Sequence, residues 1–323
     1  MAEGGTLLFG EPDEYAAAFG DAHLELTVAS AGAFEARLTR LRLNQLEVYC
    51  CSESFPRIAY IALPPERIFL SFPVGPAPLI YDGVALQNGN YVLHRRGQHL
   101  HQRTNGATKW GFIAIWAEQV SSYAKALTGR ELPMPCMDRI LSPVLAETLR
   151  LRSLVGQACR IVESANELVE HTEVARTLEH EMLHAVIDSL ALNERNDHSK
   201  TRHQHAAAMV RFEEILRDRL DQKLKMPSLC AAVGVAERTL RLCCAEFLGV
   251  SPMRYILLRR LNKARSALRR ADPSTVTVAE VARNYQFLEL GRFAVTYRET
   301  FGESPSVTLQ RNLRTHTQVA ENA

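Results

Sequence analysis

The chain has no run of 18 uninterrupted apolar residues, about the length a helix needs to cross a bilayer. Its first residues also lack the basic start and apolar core of a secretory signal. Neither a membrane partner nor export is therefore expected, and a cytoplasmic location is. Cysteine is scarce and odd in number: Cys50, Cys51, Cys136, Cys159, Cys230, Cys243 and Cys244 include no C-x-x-C pair. The spacing argues against a disulfide framework and against a structural zinc site, so these residues read as reduced thiols that fill cores. Missing too are a G-x-G-x-x-G or Walker-type phosphate loop and a G-x-S-x-G nucleophile elbow, so nucleotide hydrolysis and serine-hydrolase chemistry find no support. What is present is a globular composition: 323 residues, 46% hydrophobic, 23% charged, with a net charge of +2. That is enough for two domains, each with its own core.

The near-neutral total conceals an asymmetry. Residues 1–202 carry 19 Lys/Arg against 24 Asp/Glu, a net of −5, whereas 203–323 carry 19 against 12, a net of +7. An arginine-rich excess on the last third suits a polyanion held through phosphate contacts and counterion release. The front of the chain reads as short strands at 24–28, 34–43, 46–50, 58–63, 68–72, 91–94 and 110–116, separated by Asn-Gln, Pro-Pro and Asn-Gly turns. So many strands at close spacing predict a sandwich or small barrel. After Glu118 the pattern turns helical, over about 143–170 and then where Val174, Leu178, Met182, Val186 and Leu190 recur every four residues. That stripe either packs on its own barrel or forms a homodimer seam. Residues 193–205, NERNDHSKTRHQH, are polar throughout and are the expected linker.

The basic third contains a weak internal repeat. Leu240, Leu248, Gly249, Ser251 and Pro252 align with Phe293, Phe301, Gly302, Ser304 and Pro305 at an offset of 53, and Leu229, Val233 and Val235 align with Val281, Tyr285 and Phe287 at 52. Each unit predicts a short helix, a tight turn and a second helix: 229–233 then 237–248, and 278–285 then 290–301. That is helix-turn-helix spacing, with Thr277 and Glu280 forming a capping box. Between the units, 252–271 reads as one long helix that carries Arg254 and Arg260 on its polar faces. Two recognition helices joined in this way can enter successive major grooves of duplex DNA.

Glu237-Arg238-Thr239-Leu240, Leu248-Gly249-Val250-Ser251-Pro252, Arg259-Arg260-Leu261, Gly291-Arg292-Phe293 and Phe301-Gly302-Glu303-Ser304-Pro305 resemble the paired helix-turn-helix domain of AraC/XylS-type bacterial transcription regulators, over about 208–314. The resemblance implies an α+β two-domain protein. Its N-terminal domain (1–192) is β-rich, a cupin-like barrel or sandwich with a helical appendage that binds an effector and dimerises. A linker (193–205), an all-α DNA-binding domain (206–314) and a tail (315–323) follow. By position, Glu237, Arg238 and Arg241 in the first recognition helix and Leu290, Gly291 and Arg292 in the second are expected on bases, with Arg254 and Arg260 alongside. Arginine can pair with guanine O6/N7 and glutamate can accept from cytosine N4. Double-stranded DNA, a small-molecule effector, a second copy of the chain and RNA polymerase are the implied partners. No cofactor and no enzyme activity are implied. Three departures stand out: Ala236 replaces the usual N-cap serine, Gln286 replaces the turn glycine present as Gly234, and Leu242 and Val295 stand where arginine is frequent.

Other signals compete. His180-Glu181-Met182-Leu183-His184 matches the H-E-x-x-H of zinc metallopeptidases, and an architectural, non-specific DNA-binding protein is a second rival. His99-Leu100-His101 resembles the H-x-H of metal cupins but lacks a following glutamate, so no metal is expected. His94, Arg95 and Arg96, with Arg103 nearby, predict an effector site. Paired guanidiniums grip carboxylates or phosphates in bidentate fashion, so an anionic effector, a nucleotide included, is one reading of these residues, and a basic surface turn beside Gly97 is the other.

Overall fold

Period-2 alternation in the strands explains why they read as continuous apolar runs: both faces are covered. In the strand Thr108–Trp116, Trp110 and Phe112 turn one way while Ile113 and Ile115 join the main apolar core on the other. In Arg67–Pro73, Phe69 and Ser71 face the first side and Ile68, Leu70 and Phe72 the second. The structure is a computed structural model, and it describes residues 2–20, 22–129, 139–141, 145–165, 167–191 and 200–311. The chain divides into two compact units, one of Met1–Glu25, Phe34–Phe55 and Ala59–Ser199 and the other of Leu26–Ala33, Pro56–Ile58 and Lys200–Ala323.

The chain runs β1 (Glu3–Phe9), α1 (Pro12–Ala17), β2 (His23–Val28), β3 (Ala36–Arg42), β4 (Leu46–Glu53), β5 (Arg57–Ala62), β6 (Arg67–Pro73), β7 (Leu79–Tyr81), β8 (Val84–Leu86), β9 (Tyr91–His94), β10 (His99–Arg103), β11 (Thr108–Trp116), α2 (Ala117–Thr128), β12 (Arg139–Leu141), α3 (Leu145–Ser164), α4 (Glu167–Glu170) and α5 (Thr172–Ala191). The strands form a seven-stranded sheet, β1-β3-β4-β11-β6-β9-β12, and a five-stranded sheet, β2-β5-β10-β7-β8. This is the expected β-rich architecture. β11 sits centrally, antiparallel to both β4 and β6. Gly111 is required there, since a Cβ would lie 2.9 Å from the Tyr49 carbonyl oxygen and 3.1 Å from the Phe72 ring. β1, β7, β8, β10 and β12 are not foreseen by the strand pattern. β1 has a Gly-Gly pair and shows little burial because it is an edge strand.

Leu151, Val155, Ala158 and Val162 on α3 and Met182, Leu183 and Val186 on α5 pack into the core beneath the seven-stranded sheet. The four-residue stripe is thus used within the unit: Met182 and Val186 are buried, Leu178 and Leu190 are partly buried against the same core, and Val174 is exposed. Packing on its own sheet, the first of the two expectations, is what this stripe does. Arg150 on α3 ties to Glu181 (2.8 Å) and Asp188 (3.5 Å) on α5.

One expectation fails here. Cys50 on β4 and Cys159 on α3 are joined in a disulfide across 109 residues, whereas the spacing of the cysteines argues against any pairing. Strand-to-helix packing brings the two sulfurs together, and no local motif encodes that. Cys243 and Cys244 are buried thiols as expected, and Cys136 lies outside the described residues.

The second unit contains α6 (Lys200–Arg219), α7 (Met226–Val233), α8 (Glu237–Leu248), α9 (Pro252–Arg270), α10 (Val278–Asn284) and α11 (Leu290–Phe301). α8 and α11 begin and end where the repeat predicts. α6 departs from the sequence reading: residues 200–205, expected in the linker, are helical, and His205 pairs with Glu246 on α8 at 2.8 Å. Burial of Ala208, Met209, Phe212 and Leu216 further along α6 carries the helix through this polar start. The tail at 315–323 lies outside the described residues. No helix among the described residues is long and apolar enough to cross a membrane.

Candidate functional site

Each repeat builds its own small core. Leu229, Val233, Leu240, Cys244 and Phe247 close with Phe212 of α6 and Tyr255 of α9. Val281, Ala282, Phe293, Tyr297 and Phe301 close with Leu261, Ala264 and Leu268 of α9. The two halves of one helix therefore serve two motifs, and the residues paired by the offset of 53 (Leu240 with Phe293, Leu248 with Phe301) are all buried. A buried cluster fixes α6 to α9. The Glu213 carboxylate accepts from the Tyr255 hydroxyl at 2.7 Å and from Arg259, whose pKa burial lowers to about 10.

The turns carry the departures noted above. Gly234 holds φ 76° in the first motif and Gln286 holds φ 66° in the second, so a side chain occupies a left-handed position that favours glycine. Ala236 caps α8 with no side-chain hydrogen bond, whereas Thr277 and Glu280 complete the capping box of α10.

With the cores closed, one face of each recognition helix is left to solvent. On α8 it carries Glu237, Arg238, Arg241 and Leu242. The Arg241 guanidinium donates to Glu237 at 2.6 Å and 3.0 Å, so these two expected base readers are paired one helical turn apart. Arg238 is exposed on the same face. On α11 the face carries Leu290, Gly291, Arg292 and Val295, all exposed. Arg254 is exposed at the start of α9.

Arg260 does not fit the expected DNA contact. Its side chain is half-buried and donates to the carbonyls of Leu220 (2.9 Å) and Gln222. Both carbonyls belong to the turn that follows α6, and Arg260 supplies their donors.

In the first unit the inward-facing residues of both sheets line a narrow cavity with an aromatic wall of Phe19, Phe69, Trp110 and Phe112. Phe19 stacks on Trp110 and Phe112, with ring centroids 5.9 and 6.0 Å apart. Ser71, His94 and Tyr81 bring polar groups to the lining: His94 Nε2 lies 2.9 Å from Ser71 Oγ, and Nδ1 lies 3.2 Å from Gln98 Oε1. Of the four expected effector residues, only His94 lines this cavity. Arg95 and Arg96 are exposed on the β9–β10 turn, where Arg96 Nε donates to the Pro65 carbonyl at 2.5 Å. Arg103 donates to Asn105 at 2.5 Å, and burial lowers its pKa. The aromatic lining was not legible in the sequence, because it comes from strands far apart in the chain.

The H-E-x-x-H residues do lie on a helix, with His180 and His184 Nε2 atoms 3.1 Å apart. Glu181, which would be the base, is instead held by Arg150, whose hydrogen bond keeps the carboxyl below its usual pKa. Among the described residues no three His, Cys, Asp or Glu side chains form a group that could hold a metal ion. In the H-x-H pair, His99 Nδ1 contacts the Tyr60 hydroxyl at 3.1 Å and the His101 ring lies 5.3 Å from the Tyr60 ring.

A family model described as a helix-turn-helix domain matches residues 229–311. The "Probable thc operon regulatory protein" of Rhodococcus erythropolis is 40% identical over 97 residues, which make up 30% of this chain and 29% of that protein. The "XylDLEGF operon transcriptional activator 2" of Pseudomonas putida is 34% identical over 99 residues, 31% of this chain and 63% of that protein. A solved structure titled as that of "a probable AraC family transcriptional regulator" from Rhodopseudomonas palustris is 34% identical, covers 32% of this chain and 96% of its own, and has a TM-score of 0.30. The chain thus spans less than a third of the first relative's length and under two thirds of the second's.

Proposed function

Since the chain belongs, through residues 229–311, to the AraC/XylS type of helix-turn-helix regulators, we propose that it is a transcription regulator that binds specific duplex DNA and is gated by a small molecule in its β-rich unit. The observation that carries this reading is the tandem arrangement itself: two motifs on one long helix, each with a solvent-facing recognition helix whose arginines lie outside its core. Arg238 and Arg241 on α8 and Arg292 on α11 supply base and phosphate contacts, with Arg254 beside them. A regulator of this kind needs no catalytic group and works in the cytoplasm on the nucleoid. Dimerisation and a contact with RNA polymerase complete the scheme.

The experiment is selection of the full chain on random duplexes, followed by affinity measurements at several salt concentrations. An enriched consensus bound far more tightly than bulk DNA supports the regulator. Binding with a steep salt slope and no consensus supports an architectural protein instead.

For the effector, the aromatic walls and the few polar groups, those of Ser71, Tyr81 and His94, suit a small, largely apolar molecule with one hydrogen-bonding group. The exposed Arg95 and Arg96 keep an anionic ligand, a nucleotide included, as a second reading. Thermal shifts of the full chain against aromatic acids, fatty acids, sugars and nucleotides separate the two. Stabilisation lost in Ser71→Ala but kept in Arg95→Ala/Arg96→Ala assigns the cavity, and the reverse assigns the turn.

A further inference from the structure

The two recognition helices differ at most of their solvent-facing positions. The offset of 53 sets Arg238 against Gly291 and Arg241 against Ala294, so the exposed arginines of the first motif have no arginine opposite them in the second. One exposed pair keeps its chemistry. Leu242, the sixth residue of α8, aligns with Val295, the sixth residue of α11, and their exposures are 56% and 58%. Both are branched aliphatic side chains placed on the face turned away from the core, one turn beyond Arg238 and Gly291. In each case the residue after it or the one two before it is buried: Cys243 beyond Leu242, Phe293 before Val295.

The surroundings identify what these side chains meet. Arg238 and Arg241 flank Leu242, and Arg292 and Arg298 flank Val295. An apolar spot ringed by guanidiniums complements a surface that is polyanionic at its edges and locally apolar within. The major groove of duplex DNA is such a surface: phosphates line its rims, and among the base edges on its floor only thymine presents an apolar group, the C5-methyl. Resting on the DNA-binding reading above, we propose that Leu242 and Val295 each read a thymine methyl, one per motif. The operator then carries thymine at the same place in both of its sub-sites, while neighbouring positions, read by dissimilar side chains, differ between them.

The test uses the full chain and the consensus from the duplex selection. Each thymidine is replaced singly by deoxyuridine, which removes the methyl and keeps every hydrogen-bonding group. At two positions, equivalent in the two sub-sites, affinity should fall by about fourfold, the worth of one buried methyl group. Leu242→Ala should bind less tightly and lose the sensitivity at one of them only, and Val295→Ala at the other only. Both side chains are exposed, and unchanged melting temperatures confirm that the variants fold. Uridine tolerated at every position, or a sensitivity that survives both alanine substitutions, overturns the inference and leaves DNA binding intact. Absence of any enriched sequence overturns the sequence-specific regulator reading itself, and this inference with it.

Discussion

Two residues show how a single side chain can be set against its backbone or its neighbours. Gln286 holds φ 66° in the turn of the second motif, a conformation that costs an L-residue about 1 kcal/mol or more. Gln286→Gly should therefore raise the unfolding free energy by about 1 kcal/mol, less whatever the freer unfolded chain takes back. Gln286→Val should lower it, and urea unfolding of both variants checks the sign. Glu47 is the opposite case, a buried carboxylate with satisfied partners: the Tyr49 hydroxyl at 2.5 Å, Arg42 at 3.0 Å and Arg67 at 3.1 Å. Burial pushes its pKa up, but the Tyr49 hydrogen bond and the Arg67 and Arg42 guanidiniums outweigh burial and hold the carboxyl below its usual value. A depressed folded pKa contributes stability that is complete above the unfolded value and is lost as pH falls through the folded one. Glu47→Gln should melt below the parent at neutral pH, with the gap closing once the pH drops below about 4. A gap that stays constant down to pH 3 would contradict this account.

Among elements, α3 is held to the seven-stranded sheet by two independent means. Its apolar stripe packs on β3 and β4 residues, and Cys159 is bonded to Cys50. A cross-link closing a loop of about 100 residues stabilises by about 4.7 kcal/mol in the chain-entropy picture. Reductant should accordingly lower the melting temperature of the parent but leave that of Cys50→Ser unchanged. Equal melting with and without reductant would show that the pair is not bonded in solution. α9 is the other element with a double role. One end closes the first motif and the other end the second, and the buried Arg259–Glu213 pair with the Tyr255 hydroxyl secures it to α6. Leu257, Leu261, Ala264 and Leu268 were legible as the apolar side of α9. The partner helix α6 was not, because its start is polar and its burial comes from packing against α7, α8 and α9.

For the molecule as a whole, tandem motifs with unlike arginine patterns predict unlike mutational behaviour. Arg241 is exposed, paired with Glu237 and placed next to Arg238, whereas Arg292 has Gly291 and Leu290 as neighbours on its face. Arg241→Ala should flatten the base preference of the selected operator. Arg292→Ala should weaken binding evenly across sequences and reduce the salt slope by about one. Equal loss of preference in both variants would remove the ranking. The β-rich unit bears on this only through coupling: a ligand that changes DNA affinity by a given factor must have its own affinity changed by the same factor when DNA is bound.

The sequence by itself determined the two helix-turn-helix units, the bounds of α8 and α11 and the capping box. These depend on periodicity, caps and turn residues, interactions that span a few positions and leave a local trace. It also determined most strands of the two sheets, since alternation is equally local. Only the tertiary structure decided that Cys50 meets Cys159, that Arg260 serves the turn after α6, that the four-residue stripe of α5 is used within its own unit, and that Phe19, Ser71, His94 and Trp110 share one cavity. Each of these joins residues brought together by sheet order and helix packing, and sequence separation carries no record of which distant side chains will face each other.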